Sequence, residues 1–256
     1  MTRAASGRAG DPSGIGLDEP GPPQALYVHV PFCVSLCPYC DFVVLAGGAA
    51  RGPRNLIAAF LGAVRREIEL RADALDARWG PVGGLGPLGG LGPLGGRARP
   101  ALRSLYLGGG TPSLLPADAI AGMIQLVRAR FGLAADAEIT LEANPGPDEH
   151  GDAAALALAG ITRISFGAQA LDDPTLRRIG RRHRARAVAD AVSGARAAGI
   201  RSVSLDLLYD VPGGSIGDWM ATLEAALELA PDHLSLYALS LDDPDADPAA
   251  GRTLVA

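Results

Sequence analysis

Cys33, Cys37 and Cys40 are the only cysteines of the chain, and they stand within YVHVPFCVSLCPYCDF as C-x3-C-x2-C. An odd number of thiols cannot form a complete disulfide set, and three thiolates fall one short of a four-thiolate metal site. Spacing this short lets three thiolates turn toward one point, as zinc or an iron–sulfur cluster requires. Pro38, between the second and third cysteines, limits the freedom of the loop. Two sources of the missing ligand are open. His29 could complete a Cys3His zinc site, although its position between Val28 and Val30 in an apolar run places it along a strand. Alternatively, a four-iron cluster would keep one iron without a protein ligand, the open position that a catalytic metal site reserves for substrate or cofactor. Ordinary buried cysteines are the plain alternative, but such cysteines are seldom packed this closely.

Other residues carry chemistry at recurrent places. GGGTP, from Gly108 to Pro112, offers backbone N–H groups between a strand and a helix start, donors suited to a carboxylate or phosphate. A tight strand-to-helix turn would use the same residues. Glu142 precedes the rigid turn ANPGP, and Gln169 follows an apolar run. Asp206 interrupts SVSLDLLY, where a carboxylate is costly unless paired or used. Arg181 lies in RRIGRRHRARA, whose arginines read mainly as a solvated helix face. An RNA-binding patch would need interleaved aromatics, and the net charge of −5 adds no general attraction to nucleic acid.

Strand-like runs alternate with helical segments and would position these residues. ALYVHV, RSLYLGG, EITLEAN, ITRISFG, RSVSLDLLYD and DHLSLYAL read as strands. Helical periodicity covers residues 54–75, 117–131, 152–159, 174–198 with a break near Gly180, and 215–230. Strict β-α alternation predicts a parallel sheet with right-handed crossovers, in which chemistry gathers at the carboxyl ends of the strands. The cysteine loop, GGGTP, Glu142, Gln169 and Asp206 all fall at or near those ends. Residues 1–24 and the repeat around GGLGPL, within 80–100, are rich in glycine and proline; we expect disorder in the first and a flexible insert in the second. With no signal-peptide core and no uninterrupted apolar run of membrane-spanning length, the cytoplasm is the expected location.

Taken together, LYVHVPFC…CPYCDF, YLGGGTPSLL, ISFGAQALDDPTLRRIGR and LDLLYDVPG resemble the radical S-adenosylmethionine (SAM) superfamily. Within it they are similar to the oxygen-independent coproporphyrinogen III oxidase-like branch and its heme chaperone subgroup, HemW. The resemblance implies an α/β fold of the partial (β/α)6 TIM-like barrel type. It implies a [4Fe–4S] cluster on Cys33, Cys37 and Cys40, with SAM at the remaining iron. It further implies that Tyr27, Tyr39, Gly109, Gly110, Thr111, Glu142, Gln169, Arg181, Asp206 and Ser240 surround SAM and the cluster. The implied partners are heme or a porphyrin and a membrane-associated heme acceptor protein, with no nucleic acid; the oligomeric state is left open.

The chain departs from the pattern in two places. The porphyrinogen-oxidising enzymes carry a further cysteine two residues after the third, where this chain has Phe42; the heme chaperones have phenylalanine there. That substitution tells against coproporphyrinogen dehydrogenase activity, the alternative function. The sequence also stops soon after the sixth strand, so 241–256 read as the start of a C-terminal extension that is mostly absent. The heme-associated H-N-x-x-Y-W motif does not occur in these 256 residues.

Overall fold

The computed structural model describes residues 21–52, 54–83, 99–146 and 148–239. Six strands form one sheet in sequential spatial order: β1 (Ala25–Val30), β4 (Leu102–Gly109), β5 (Leu133–Ala143), β6 (Arg163–Gln169), β7 (Ser202–Tyr209) and β8 (His233–Ala238). Every neighbouring pair is parallel. β1 and β8 are both edges, so the sheet is an open, partial barrel. All six strands lie where the apolar runs place them.

Helices cross over between the strands: α1 (Ile57–Trp79), α2 (Ala117–Phe131), α3 (Ala153–Ala159), α4 (Asp173–Arg178), α5 (Ala185–Ala197) and α6 (Ile216–Glu228). α2 shows why they pack: Ile120, Met123, Ile124, Val127 and Phe131 recur at helical spacing and are all buried. Each such side chain contributes about 1.5–3 kcal/mol by leaving water. They meet a core that includes Leu105, Leu107, Ile139, Leu141, Ile164, Phe166, Val203 and Leu205 from the central strands. Truncating Leu141, which is fully buried, to alanine would cost about 2–5 kcal/mol.

The helix ends follow local chemistry. Asp152 and Asp172 cap α3 and α4, and Ser215 forms a reciprocal capping box with Asp218 at α6. α1 runs further than its periodicity suggests, to Trp79, and stops at Gly80, whose φ of 83° few other residues adopt. The break expected near Gly180 separates α4 from α5.

Two expected boundaries move inward. The Gln24 carbonyl already accepts hydrogen bonds from the Arg103 and Ser104 N–H groups, so pairing with the sheet begins within the segment expected to be disordered. At the insert, Val82 and Arg99 form a parallel bridge, and the Arg99 side chain is fully buried against Asp76. The insert is therefore bound at both ends; residues 84–98 lie outside the described residues, as do 1–20 and 240–256.

One small element has no counterpart in the sequence reading. β2 (Phe32–Cys33) pairs in parallel with β3 (Leu45–Ala46), and the Leu45 N–H donates to the Pro31 carbonyl at 2.6 Å. This short ladder ties off the cysteine loop at its base.

Candidate functional site

A cleft of about 340 Å³ opens at the carboxyl ends of the strands. Cys33, Cys37 and Cys40 line one side of it, and Gly109, Gly110, Thr111, Glu142, Asn144, Gln169 and Asp206 line the other. The cysteine loop is held from two directions. β2 and β3 close its base, while Pro38 packs onto the turn that follows α4, where its Cδ lies 2.8 Å from the position a Cβ on Gly180 would take. Tyr39 joins Leu176, Ile179 and Leu208 in a small apolar cluster behind the loop.

The same contact brings Arg181 under the thiols. Its Nη1 donates to Cys37 Sγ at 3.4 Å, and its Nη2 donates to Asn144 Oδ1 at 2.5 Å and to the Gly167 carbonyl at 2.8 Å. Among the described residues no carboxylate stands within ion-pair distance of it, and its buried Nε has no hydrogen-bond partner. Arg181 thus hydrogen bonds only to neutral acceptors, while Glu149 and Asp206 act on its charge from beyond ion-pair distance. The Tyr39 hydroxyl beside it is also buried without a well-formed hydrogen bond, and burial pushes its ionisation up.

Burial raises the Cys33 thiol to about 11, opposed by the Thr111 hydroxyl, which donates to its sulfur at 3.7 Å. Burial raises Cys40 as well. Thiols held protonated in this way give up their protons when a metal replaces them, so binding and proton release are coupled.

Across the cleft, Glu142 accepts from the Tyr106 hydroxyl at 2.8 Å and from the Gly109 N–H at 2.9 Å. Burial raises its pKa despite these donors. Asp206, also raised by burial, accepts from the Ser165 hydroxyl at 3.1 Å. Gln169 has a φ of 68° where β6 slips register against β7. That left-handed backbone in a residue with a side chain is a local strain of the kind found where side chains are aimed into sites.

The structure brings together all but two of the residues expected at this site. Tyr27 does not line the cleft; its ring stacks on Tyr106 at 5.9 Å, behind Glu142. Ser240 lies outside the described residues. The glycine loop behaves differently from the expectation of free donors. The N–H groups of Gly109, Gly110 and Thr111 are engaged by Glu142, the Val30 carbonyl and the Phe32 carbonyl. What these glycines supply is closeness: a Cβ on Gly110 would lie 2.6 Å from the Phe32 carbonyl oxygen and 3.0 Å from Cys33 Sγ.

His29 is not placed to complete a Cys3His zinc site. Its Nε2 hydrogen bonds to the Val43 carbonyl at 2.8 Å and its Nδ1 to the Tyr27 hydroxyl at 3.2 Å, so both ring nitrogens are in use. Nor does any group of three or more ligand-type side chains among the described residues stand ready to hold a single ion. A multi-iron cluster takes each thiolate on a different iron, and its ligands stand further apart than those of one ion. Three thiols around one cleft, with a buried cation behind them and no fourth thiol, suit an anionic cluster with one open iron.

Asn144, Ser165, Tyr106 and Tyr237 belong to the site but carried no signal in the sequence. Asn144 alone could have been suspected, because it precedes a proline at a strand end.

Comparison with protein families matches residues 95–226 to the Radical SAM superfamily, from the insert through most of α6. The chain is 34% identical over 221 residues to the heme chaperone HemW of Haemophilus influenzae, covering 86% of this chain and 52% of that protein. It is 36% identical over 221 residues to HemW of Escherichia coli, with the same coverage of each. Among solved structures, coproporphyrinogen III oxidase (HemN) from Escherichia coli superposes with a TM-score of 0.70 at 27% identity, over 91% of this chain and 50% of that one. The chain spans about half the length of these relatives. The cofactors that the superfamily implies, a [4Fe–4S] cluster and SAM, agree with the donor set at the cleft. The chain belongs to the radical SAM superfamily.

Proposed function

We propose that the cleft holds a [4Fe–4S] cluster on Cys33, Cys37 and Cys40, with SAM at the iron that has no protein ligand, and that the protein is a heme chaperone. In this role it binds heme and hands it to acceptor proteins, a membrane-associated one among them. The observation that carries the cofactor assignment is Arg181, a buried cation with no carboxylate partner among the described residues, hydrogen-bonded to a thiol. An anionic cluster, or the carboxylate of SAM, is the counter-charge this arrangement calls for.

When bound, the cluster supplies one electron to SAM. The chain's own residues do the positioning. Gly109 and Gly110 let a ligand approach the cysteine loop closely, and Thr111 and Arg181 donate to the thiol sulfurs. Glu142 and Asp206 offer carboxylates to the hydroxyl and amino groups of SAM, each held in place by a neighbouring hydroxyl. Gln169 adds an amide at the same wall, and Tyr39 closes the cluster side from behind. Tyr27 acts indirectly, by backing Tyr106. Ser240 remains an expectation of the resemblance. Iron ligation needs reduced thiols, which favours a reducing compartment such as the cytoplasm; among the described residues, no helix is long and apolar enough to cross a membrane.

The heme assignment rests on the similarity to heme chaperones and on Phe42, which occupies the position of the oxidases' further cysteine. Phe42 lies at the cleft with 64% of its surface exposed. The fold match to coproporphyrinogen III oxidase keeps a second reading, SAM-dependent decarboxylating oxidation of a porphyrinogen. Two assays separate the readings: a spectrophotometric hemin titration, and anaerobic incubation with coproporphyrinogen III, SAM and a reductant. Stoichiometric hemin binding without porphyrinogen turnover supports the chaperone; turnover contradicts it.

A further inference from the structure

Asn144 uses both ends of its carboxamide inside the site. Arg181 has only donors, so its 2.5 Å contact from Nη2 must be received by Oδ1 of Asn144. That orientation turns Nδ2 toward Thr111, whose Oγ1 it meets at 3.1 Å. Because the Thr111 oxygen accepts there, its own hydrogen is left to point elsewhere, and Cys33 Sγ at 3.7 Å is the acceptor in reach. Arg181 Nη1 meanwhile donates to Cys37 Sγ at 3.4 Å. Donation therefore spreads from Arg181 both ways, directly onto Cys37 and through Asn144 and Thr111 onto Cys33. Asn144 is placed for this at the end of β5, between Ala143 and Pro145.

We propose that Asn144 is a positioning residue that directs the Thr111 hydroxyl onto Cys33 and so sets the reduction potential of the cluster. The inference rests on the cluster assignment made above. Hydrogen bonds to cluster sulfurs stabilise the more negatively charged, reduced state and raise its potential. Amide orientation decides whether Cys33 receives one. An aspartate at 144 would keep an acceptor for Arg181 but present a second acceptor to Thr111, and the hydroxyl would turn away from the sulfur.

The test is a redox titration of reconstituted clusters in the wild type, Thr111→Val, Asn144→Asp and the double variant, with iron per chain measured for each. Thr111→Val and Asn144→Asp should each shift the midpoint to more negative potential. The aspartate also adds a charge, but that contribution is present in both backgrounds. Asn144→Asp should therefore shift the potential further when Thr111 is present than when valine replaces it. Thr111→Ser, which keeps the hydroxyl, should restore the wild-type midpoint. Equal shifts from Asn144→Asp in both backgrounds would overturn the inference. If Asn144→Asp takes up no iron, the neutral Asn144→Ser carries the same comparison, with a larger shift beside Thr111 than beside valine supporting the inference and equal shifts overturning it. A wild type that assembles no cluster overturns the cluster assignment and this inference together; a wild-type cluster with equal shifts overturns the inference alone.

Discussion

Each end of the sheet holds a buried arginine, and the two are partnered in opposite ways. At the amino end, Arg99 meets Asp76 at 2.6 Å and the Arg130 carbonyl at 3.0 Å, and its guanidinium lies 5.4 Å from the centre of the Phe131 ring. Arg130 extends the network to Asp73. Charge is matched there by charge, and the result pins the ends of the insert to α1 and α2. At the carboxyl end, Arg181 meets an amide oxygen, a backbone carbonyl and a thiol. One arginine has a carboxylate in contact, although its Nε and Nη1 are buried without hydrogen-bond partners, whereas the other has no carboxylate within ion-pair distance among the described residues. A buried ion is costly without a counter-charge, so the second arrangement is one a protein keeps for function more readily than for stability.

Substituting the two arginines should break this comparison if it is wrong. Arg99→Met leaves Asp76 only its longer contact to Arg130 at 3.8 Å and should cost roughly 3 kcal/mol in urea unfolding, while iron uptake per folded chain stays unchanged. Arg181→Met removes a buried charge that has no carboxylate in contact, so the stability of the metal-free protein should hold or rise. SAM affinity should nonetheless fall at least tenfold, about 1.4 kcal/mol, in equilibrium binding to the reconstituted protein. Two variants that lose stability alike, or lose SAM binding alike, would erase the distinction.

His183 sharpens the comparison through pH. Burial, and secondarily the Arg181 charge, hold its pKa near 4, and its Nε2–H donates to the Ala168 carbonyl at 3.1 Å. The unfolded chain takes up this proton near pH 6.5 and the folded chain does not, so its contribution is intact above about pH 6.5 and is lost as pH falls toward 4. The loss should reach up to about 3 kcal/mol at pH 4. His183→Gln should flatten that slope in pH-dependent unfolding, and Arg181→Met should shift the window upward.

A pair of glycines gives the smallest effects. A Cβ on Gly132 would lie 2.6 Å from Val82 Cγ1 at the amino end, while one on Gly110 would press on Phe32 and Cys33. Gly132→Ala should lower stability by roughly 1–3 kcal/mol with cluster content unchanged. Gly110→Ala should reduce iron retained per chain more than it reduces the melting temperature.

The sheet was legible in the sequence because each strand is a compact apolar run and each helix has a cap, a proline or a glycine at its boundary. α1 outran its pattern because its last turn is held by the Asp76–Arg99 pair, a contact between residues that are 23 positions apart. The β2–β3 ladder could not be seen, since two residues have no period. At the site, the thiols announced themselves by spacing, and Asp206 by interrupting an apolar strand. The glycine-loop donors were misread because their engagement depends on the register of β1 against β4, which brings Val30 beside Gly109. Asn144 escaped because its role exists only once Arg181, 37 positions away, folds over it.

The most direct test of the central claim is electron paramagnetic resonance of the protein reconstituted anaerobically with iron and sulfide, then reduced, with and without SAM. The account predicts a reduced [4Fe–4S] signal that changes when SAM is added, because the iron without a protein ligand receives it. Failure to assemble a cluster, or a cluster signal indifferent to SAM, would contradict it.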